Sequence, residues 1–314
     1  MRALSLFSGI GGLDVAVEHV FGADIVAHCE SDPYCQQVLA RHWPDVPCFD
    51  DIRELAAQDV GKVDLICGGF PCKDLSCAGK KAGFEGAHSS LWYEYLRLVR
   101  SLKPKYVAIE NIPLLYRNEG YRAQVQKPLE KAGYRTAWAL CAASDVGAPH
   151  KRERAFCLAV RNGTPWPEAG QGVRGRHTVQ NSKRNEHSEN TGALWQTLTA
   201  RDWKTGSSTY SLLVPQTGGG PLNPEWLEAF MGLPAGWTEK KGKPLRVDIL
   251  NPRWPAGKDE EQHPWEPPRS LPALGKGDNK KRLLFRKERT QALGNMVVPQ
   301  QAALALWWLA QQDS

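Results

Sequence analysis

Several features are missing from these 314 residues, and each absence removes a class of protein. No run reaches the roughly 18 apolar residues that a transmembrane helix needs, so no membrane partner is expected. The opening MRALSLFSGIGG has neither the apolar core nor the small-residue cleavage region of a secretory signal, which predicts a soluble, cytoplasmic protein. Cysteine is absent from the second half: Cys29, Cys35, Cys48, Cys67, Cys72, Cys77, Cys141 and Cys157 all lie in the first. They form no C-x-x-C pair, and no paired histidine spacing accompanies them, which argues against zinc and against a disulfide framework. Most therefore read as small buried hydrophobes. The dinucleotide fingerprint G-x-G-x-x-G is missing too, because Asp14 stands where its third glycine would fall after Gly9 and Gly11. That disfavours a nicotinamide-linked oxidoreductase, and no internal repeat suggests a solenoid.

What is present divides in two. Up to about residue 160, short apolar runs (ALSLF, DIVAHCE, VDLICGGF, YVAIEN, TAWALCAA, RAFCLAV) alternate with helical patterns such as Leu13, Ala16, Val17 and Val20. This alternation predicts an α/β domain with a mostly parallel sheet. From 161 to 290 the chain turns to Pro, Gly, Trp, Ser and Thr with little periodicity, which predicts a smaller, irregular domain. The final segment, 291–314, regains a helical apolar pattern and is expected to return to the first domain. The net charge of +6 is compatible with a polyanionic partner.

Chemistry-bearing residues cluster at the ends of the predicted strands. LSLFSGIGGLDVAVE reads as strand, glycine-rich turn and helix, an arrangement that brings backbone N–H groups close to a ligand. Glu30 ends the second strand, where a carboxylate can accept from both hydroxyls of a ribose. Asp51 ends the next short element, within reach of an adenine amino group. Cys72 follows Gly68-Gly69-Phe70-Pro71 at the end of another strand, on the sheet edge where α/β folds bind ligands, with Lys73, Lys80 and Lys81 close in sequence. Glu110 and Asn111 end the following strand. Arg152 and Arg154 occupy alternate positions entering the last, so both guanidinium groups are expected on one face. A thiol, a carboxylate and paired arginines beside a nucleotide-type site form a reactive constellation.

In motif content and order the sequence resembles the DNA cytosine-5 methyltransferases of bacteria and phages, over nearly its whole length. FSGIGG is similar to their S-adenosyl-L-methionine loop, GFPCKDLS to the nucleophile loop and ENI to the catalytic acid motif. HKRER matches the arginine motif, and GNMVVPQ the last motif. Lys73 and His150 depart from the usual glutamines, and NPEWLEAFMGLPAGWT resembles the ninth motif in its phage form, without the upstream arginine. The resemblance implies an S-adenosylmethionine-dependent Rossmann-like fold: a catalytic domain of 1–160 plus 291–314 and a target-recognition domain of 161–290. It implies a cofactor site of Phe7, Gly9, Ile10, Gly11, Gly12, Glu30, Ser31, Asp51, Ile52, Phe70, Pro71, Leu91 and Asn295. Catalysis is implied for Cys72, Glu110, Arg152 and Arg154, on a cytosine flipped out of double-stranded DNA. Residues 73–90 would close as a lid. DNA contacts are expected from Ser76, Lys80, Asn111, Arg174, Arg176, Arg201, Lys204, Lys281 and Arg282. No metal is implied. A monomer is expected, solitary, phage-borne or paired with a restriction endonuclease acting on the same site. The alternatives are a tRNA cytosine-5 methyltransferase and a catalytically silent DNA-binding module.

Overall fold

A computed structural model describes residues 1–71, 91–170, 194–203, 213–217, 220–271 and 285–312. The first half builds β1 (Arg2–Leu6), α1 (Gly12–Phe21), β2 (Asp24–Cys29), α2 (Pro33–His42), β3 (Cys48–Phe49), α3 (Ala57–Val60) and β4 (Leu65–Gly68). There follow α4 (Leu91–Leu102), β5 (Tyr106–Asn111), α5 (Pro113–Arg117), α6 (Glu119–Lys131), β6 (Tyr134–Cys141) and β7 (Arg154–Arg161). These strands form one seven-stranded sheet in the order β3-β2-β1-β4-β5-β7-β6. Pairing is parallel from β3 through β5, whereas β7 runs antiparallel to both β5 and β6. The chain leaves β5, crosses through α5 and α6, and enters β6 one place too far out. β7 then fills the gap in the opposite direction.

The central strands are mostly apolar because both sheet faces are covered, and successive residues go to opposite sides. Ala3, Leu65, Cys67 and Ala108 join one core with α1; Leu4, Leu6, Ile66, Val107 and Ile109 join the other with α4 and α6. Fully burying each Leu, Ile or Val side chain stabilises the fold by about 1.5–3 kcal/mol. Leu13, Ala16, Val17 and Val20 form the buried stripe of α1, as their spacing predicts. Asp32 caps α2 by accepting from the backbone N–H groups of Tyr34 (2.8 Å) and Cys35 (3.2 Å), with Pro33 fixing the first turn.

The second half contributes α7 (Leu213–Gln216) and α8 (Pro224–Phe230), with only isolated bridges as β-structure among the described residues. The chain then returns in α9 (Arg286–Asn295) and α10 (Pro299–Leu309). α10 packs into the core beside α1. A third core unites Ile10, Tyr34, Cys35 and Val38 with Trp195, Leu198, Trp226, Phe230, Trp237, Leu293 and Met296. The described part of 161–290 thus packs directly on the glycine turn and α2.

Within that packing Glu228 is fully buried, paired with Arg289 at 2.9 Å and accepting from the N–H groups of Gly236 (2.6 Å) and Thr238 (2.8 Å). Arg289→Ala would strand the carboxylate, and a loss of about 3–5 kcal/mol is expected, read as a lowered urea midpoint with an unchanged slope.

Candidate active site

The strand order reverses between β1 and β4, and such a switch point opens a crevice at the carboxyl ends of the strands. A cavity of about 630 Å³ lies there. It is lined by Leu6 to Gly9, Glu30 to Asp32 and Gly68 to Pro71, by Glu110, Asn111, Ile112 and Arg154, and by Gln291, Ala292 and Gly294 to Val297. The volume falls within the range of small-molecule sites.

Phe7 leaves β1 at φ 54, a left-handed conformation that L-residues rarely adopt, and Gly9 follows at φ 57. These two reversals fold the turn so that Glu30 can reach it. Glu30 Oε2 accepts from Gly9 N–H at 2.7 Å and Oε1 accepts from Asp32 N–H at 2.8 Å. Burial pushes this carboxyl above its ordinary value, and the two N–H groups pull the other way. A carboxylate has about four acceptor positions, so Glu30 keeps capacity for a diol in the cavity. Beneath the turn, buried Ser5 donates to Asp14 Oδ1 (2.5 Å), and Asp14 Oδ2 stands 3.2 Å from His28 Nε2. This support was signalled in the sequence by an acid on the buried face of α1.

At the other end of the cavity Glu110 Oε1 and Arg154 Nε are 3.0 Å apart, both largely shielded from solvent. Burial raises the Glu110 carboxyl above its ordinary value, against the opposing pull of Arg154 and then Arg152. Asn111 is buried, donating from Nδ2 to Phe70 O (3.0 Å) and accepting at Oδ1 from Ile112 N–H (2.8 Å). It thereby ties the end of β5 to the segment that follows β4. These partners are backbone atoms, and Asn111 is set into the cavity wall.

Of the expected cofactor residues, Phe7, Gly9, Gly12, Glu30, Ser31, Phe70, Pro71 and Asn295 line the cavity. Ile10, Gly11, Asp51, Ile52 and Leu91 do not. Ile10 is turned into the third core and accepts from Trp237 Nε1 at its carbonyl (3.0 Å). Gly11 caps α1 in the left-handed conformation, and an added Cβ would collide with the Trp43 ring. Asp51 is held by Arg53 through Oδ1 (2.9 Å) and Oδ2 (2.6 Å), while Ile52 and Leu91 pack into the second core.

The two arginines do not share a face. Strand alternation begins only at Arg154; Arg152 precedes β7 at φ 29, and its guanidinium is buried away from the cavity, donating to the carbonyls of Leu198 (2.8 Å), Gly294 (2.9 Å) and Met296 (2.5 Å). His150 is buried on Phe230 O at 2.8 Å, and burial lowers its pKa to about 3, so it stays neutral. Arg201 is exposed on the second half. Cys72, Ser76, Lys80, Arg174, Arg176, Lys204, Lys281 and Arg282 lie outside the described residues, as does the proposed lid 73–90.

A seven-stranded, mostly parallel sheet with one reversed strand, carrying a glycine turn and an acid at its switch point, is the fold of S-adenosylmethionine-dependent methyltransferases. The chain belongs to the C-5 cytosine-specific DNA methylase family, whose model matches residues 1–217. It is similar to the type II methyltransferase M.HhaI of Haemophilus parahaemolyticus, 33% identical over 164 residues that cover 52% of this chain and 50% of that protein. M.CviJI of Paramecium bursaria Chlorella virus IL3A is 35% identical over 161 residues, 51% of this chain and 43% of that protein. The matches thus span about half the length of these curated relatives or less. In fold it is similar to the Dnmt2 methyltransferase of S. pombe, with a TM-score of 0.58 at 15% identity, covering 99% of this chain and 97% of the other. The family's methyl donor is S-adenosylmethionine. The cavity fits it: Glu30 offers acceptors for the ribose, and the open space over Gly9 admits the ligand against the backbone.

Proposed function

We propose that this chain methylates carbon 5 of cytosine in double-stranded DNA, with the target base flipped into the cavity beside Glu110. The observation that carries this reading is the Glu110–Arg154 pair, held in the same cavity as the Glu30 cofactor acceptor. Cys72 follows Pro71, which lines that cavity.

Cytosine C5 is a weak nucleophile until the ring is activated. The Cys72 thiolate forms a bond to C6 while the Glu110 carboxylic acid delivers its proton to N3, converting the ring to an enamine. Burial raises the Glu110 carboxyl above its ordinary value, which favours the protonated form this step needs. Arg154, fixed against Glu110, donates to the cytosine O2 and offsets the charge that builds in the ring. S-adenosylmethionine, when bound, supplies the methyl group that C5 takes up. Loss of the C5 proton to a base then expels Cys72 as thiolate, and return of the N3 proton to Glu110 leaves neutral 5-methylcytosine. Flipping the base costs roughly a few kcal/mol, which contacts from residues 161–290, acting as a target-recognition domain with Arg201 among its basic residues, would offset. The protein acts as a monomer, and its product protects DNA against a cognate endonuclease or, for a phage-borne gene, against host defence.

Two results are expected at the ends of the cavity. Gly69→Ala would set a methyl group 2.7 Å from Glu110 Oε2. Displacing that carboxylate should lower kcat on the order of 10²-fold with cofactor affinity retained, as steady-state kinetics will show. Glu30→Gln removes a charge-assisted acceptor and should weaken S-adenosylhomocysteine binding by about 10–100-fold in calorimetry, with kcat at saturation little changed. The activity itself is tested with labelled S-adenosylmethionine on unmethylated genomic DNA and on tRNA. Label in DNA at one recurrent sequence context is expected; label in tRNA alone would move the function to RNA.

A further inference from the structure

We propose that Arg152 is a positioning residue that couples the DNA-facing half of the molecule to the cofactor wall; this rests on the methyltransferase reading above. Arg152 is 2% exposed and has no carboxylate partner among the described residues, since Glu110 is engaged by Arg154. A buried cation held only by carbonyls is a costly way to fill space, and an apolar side chain of similar volume would serve stability as well. What an apolar side chain cannot do is grip several strands of backbone at once, which the planar fork of arginine does.

Its grip joins three segments. The guanidinium donates to Leu198 O, Gly294 O and Met296 O; the backbone N–H of Arg152 donates to Thr197 Oγ1 (3.1 Å), and its carbonyl accepts from Gln301 Nε2 (2.7 Å). Gly294 and Met296 flank Asn295, and all three line the cofactor cavity. Thr197 and Leu198 lead into the turn 199–202, closed by Asp202 Oδ2 accepting from Thr199 N–H (2.6 Å) and Thr199 Oγ1 (2.9 Å) and carrying the exposed Arg201. The junction has no slack, because a Cβ on Gly294 would run into the backbone of Thr199 and Ala200. Two residues beyond the hub, Arg154 meets Glu110. A left-handed φ of 29 on a non-glycine residue is retained where the surroundings hold it in place.

Any shift of segment 197–202 on DNA therefore moves the 294–296 wall through Arg152, and the coupling must act in both directions. The test is the Kd of S-adenosylhomocysteine with and without unmethylated genomic DNA, for the intact chain and for Arg152→Lys and Thr197→Val. In the unaltered protein DNA should tighten S-adenosylhomocysteine by about 5-fold or more. Arg152→Lys keeps the charge but cannot span three carbonyls, and should reduce that ratio to about 2-fold or less. Thr197→Val should lower the ratio while leaving the DNA-free Kd unchanged. A merely structural Arg152 would lower Tm and leave the ratio intact in both variants, which overturns the proposal, as would an unaltered protein with no ratio to lose. Failure of the unaltered chain to bind S-adenosylhomocysteine at all would instead overturn the methyltransferase reading.

Discussion

Cys72→Ala is expected to remove methyl transfer, by about 10⁴-fold or more in kcat, while S-adenosylhomocysteine and DNA still bind within a few-fold of normal. The described cysteines are poorly placed to replace it. Among the described cysteines, Cys67, Cys141 and Cys157 are fully buried in the sheet and its packing, and desolvation holds their thiols far above the pKa at which a thiolate forms. Cys35 reaches the cavity, but burial again raises its thiol, with Glu30 and Asp32 adding to the effect. Cys48, the exposed one, sits on β3 outside the cavity. Stopped-flow single-turnover assays on Cys72→Ala and on Cys35→Ala separate the two: only the first should lose the chemical step.

Glu110→Gln is the second large effect. Glutamine retains a hydrogen bond to the base but has no proton to give, so kcat should fall by about 10²–10⁴-fold. The pH dependence has a definite sign. The acid form does the work, so the chemical rate should decline as pH rises through the Glu110 pKa, which burial places above the ordinary carboxylate value. In Glu110→Gln the alkaline limb should disappear from the pH–rate profile. Arg154→Met should shift that limb upward, because the guanidinium is the first cause pulling the carboxyl down.

The sheet was legible because strands covered on both faces are written as continuous apolar runs: ALSLF, VDLICGGF and YVAIEN needed no tertiary information. β3 was not, since Cys48–Phe49 has two residues and no period to detect. The lining of the cavity could be read as far as Gly9, Gly12 and Glu30, which follow from a strand, a turn and a strand end. Ile10 and Gly11 were misplaced as lining residues because a turn has no periodicity to say which way each residue faces. Asp51 was taken for a ligand contact because Arg53, two residues on, claims its carboxylate only in three dimensions. The clearest failure is Arg152. Alternation of side chains was applied two residues before β7 begins, where φ 29 rotates the guanidinium away from Arg154. The third core, in which Tyr34 and Val38 meet Trp226 and Phe230, depends on contacts nearly two hundred residues apart that no local pattern announces.

The most direct test of the mechanism is trapping with a duplex in which 5-fluorocytosine replaces cytosine at the methylated site, in the presence of S-adenosylmethionine. Fluorine at C5 cannot leave as a proton does, so once C5 has been methylated the C6 adduct cannot eliminate the thiolate. The expected result is a denaturant-stable protein–DNA complex whose peptide map places the bond on Cys72 and which Cys72→Ala does not form. A fluorinated duplex that is bound but never covalently held, or one attached through any other residue, would contradict the account.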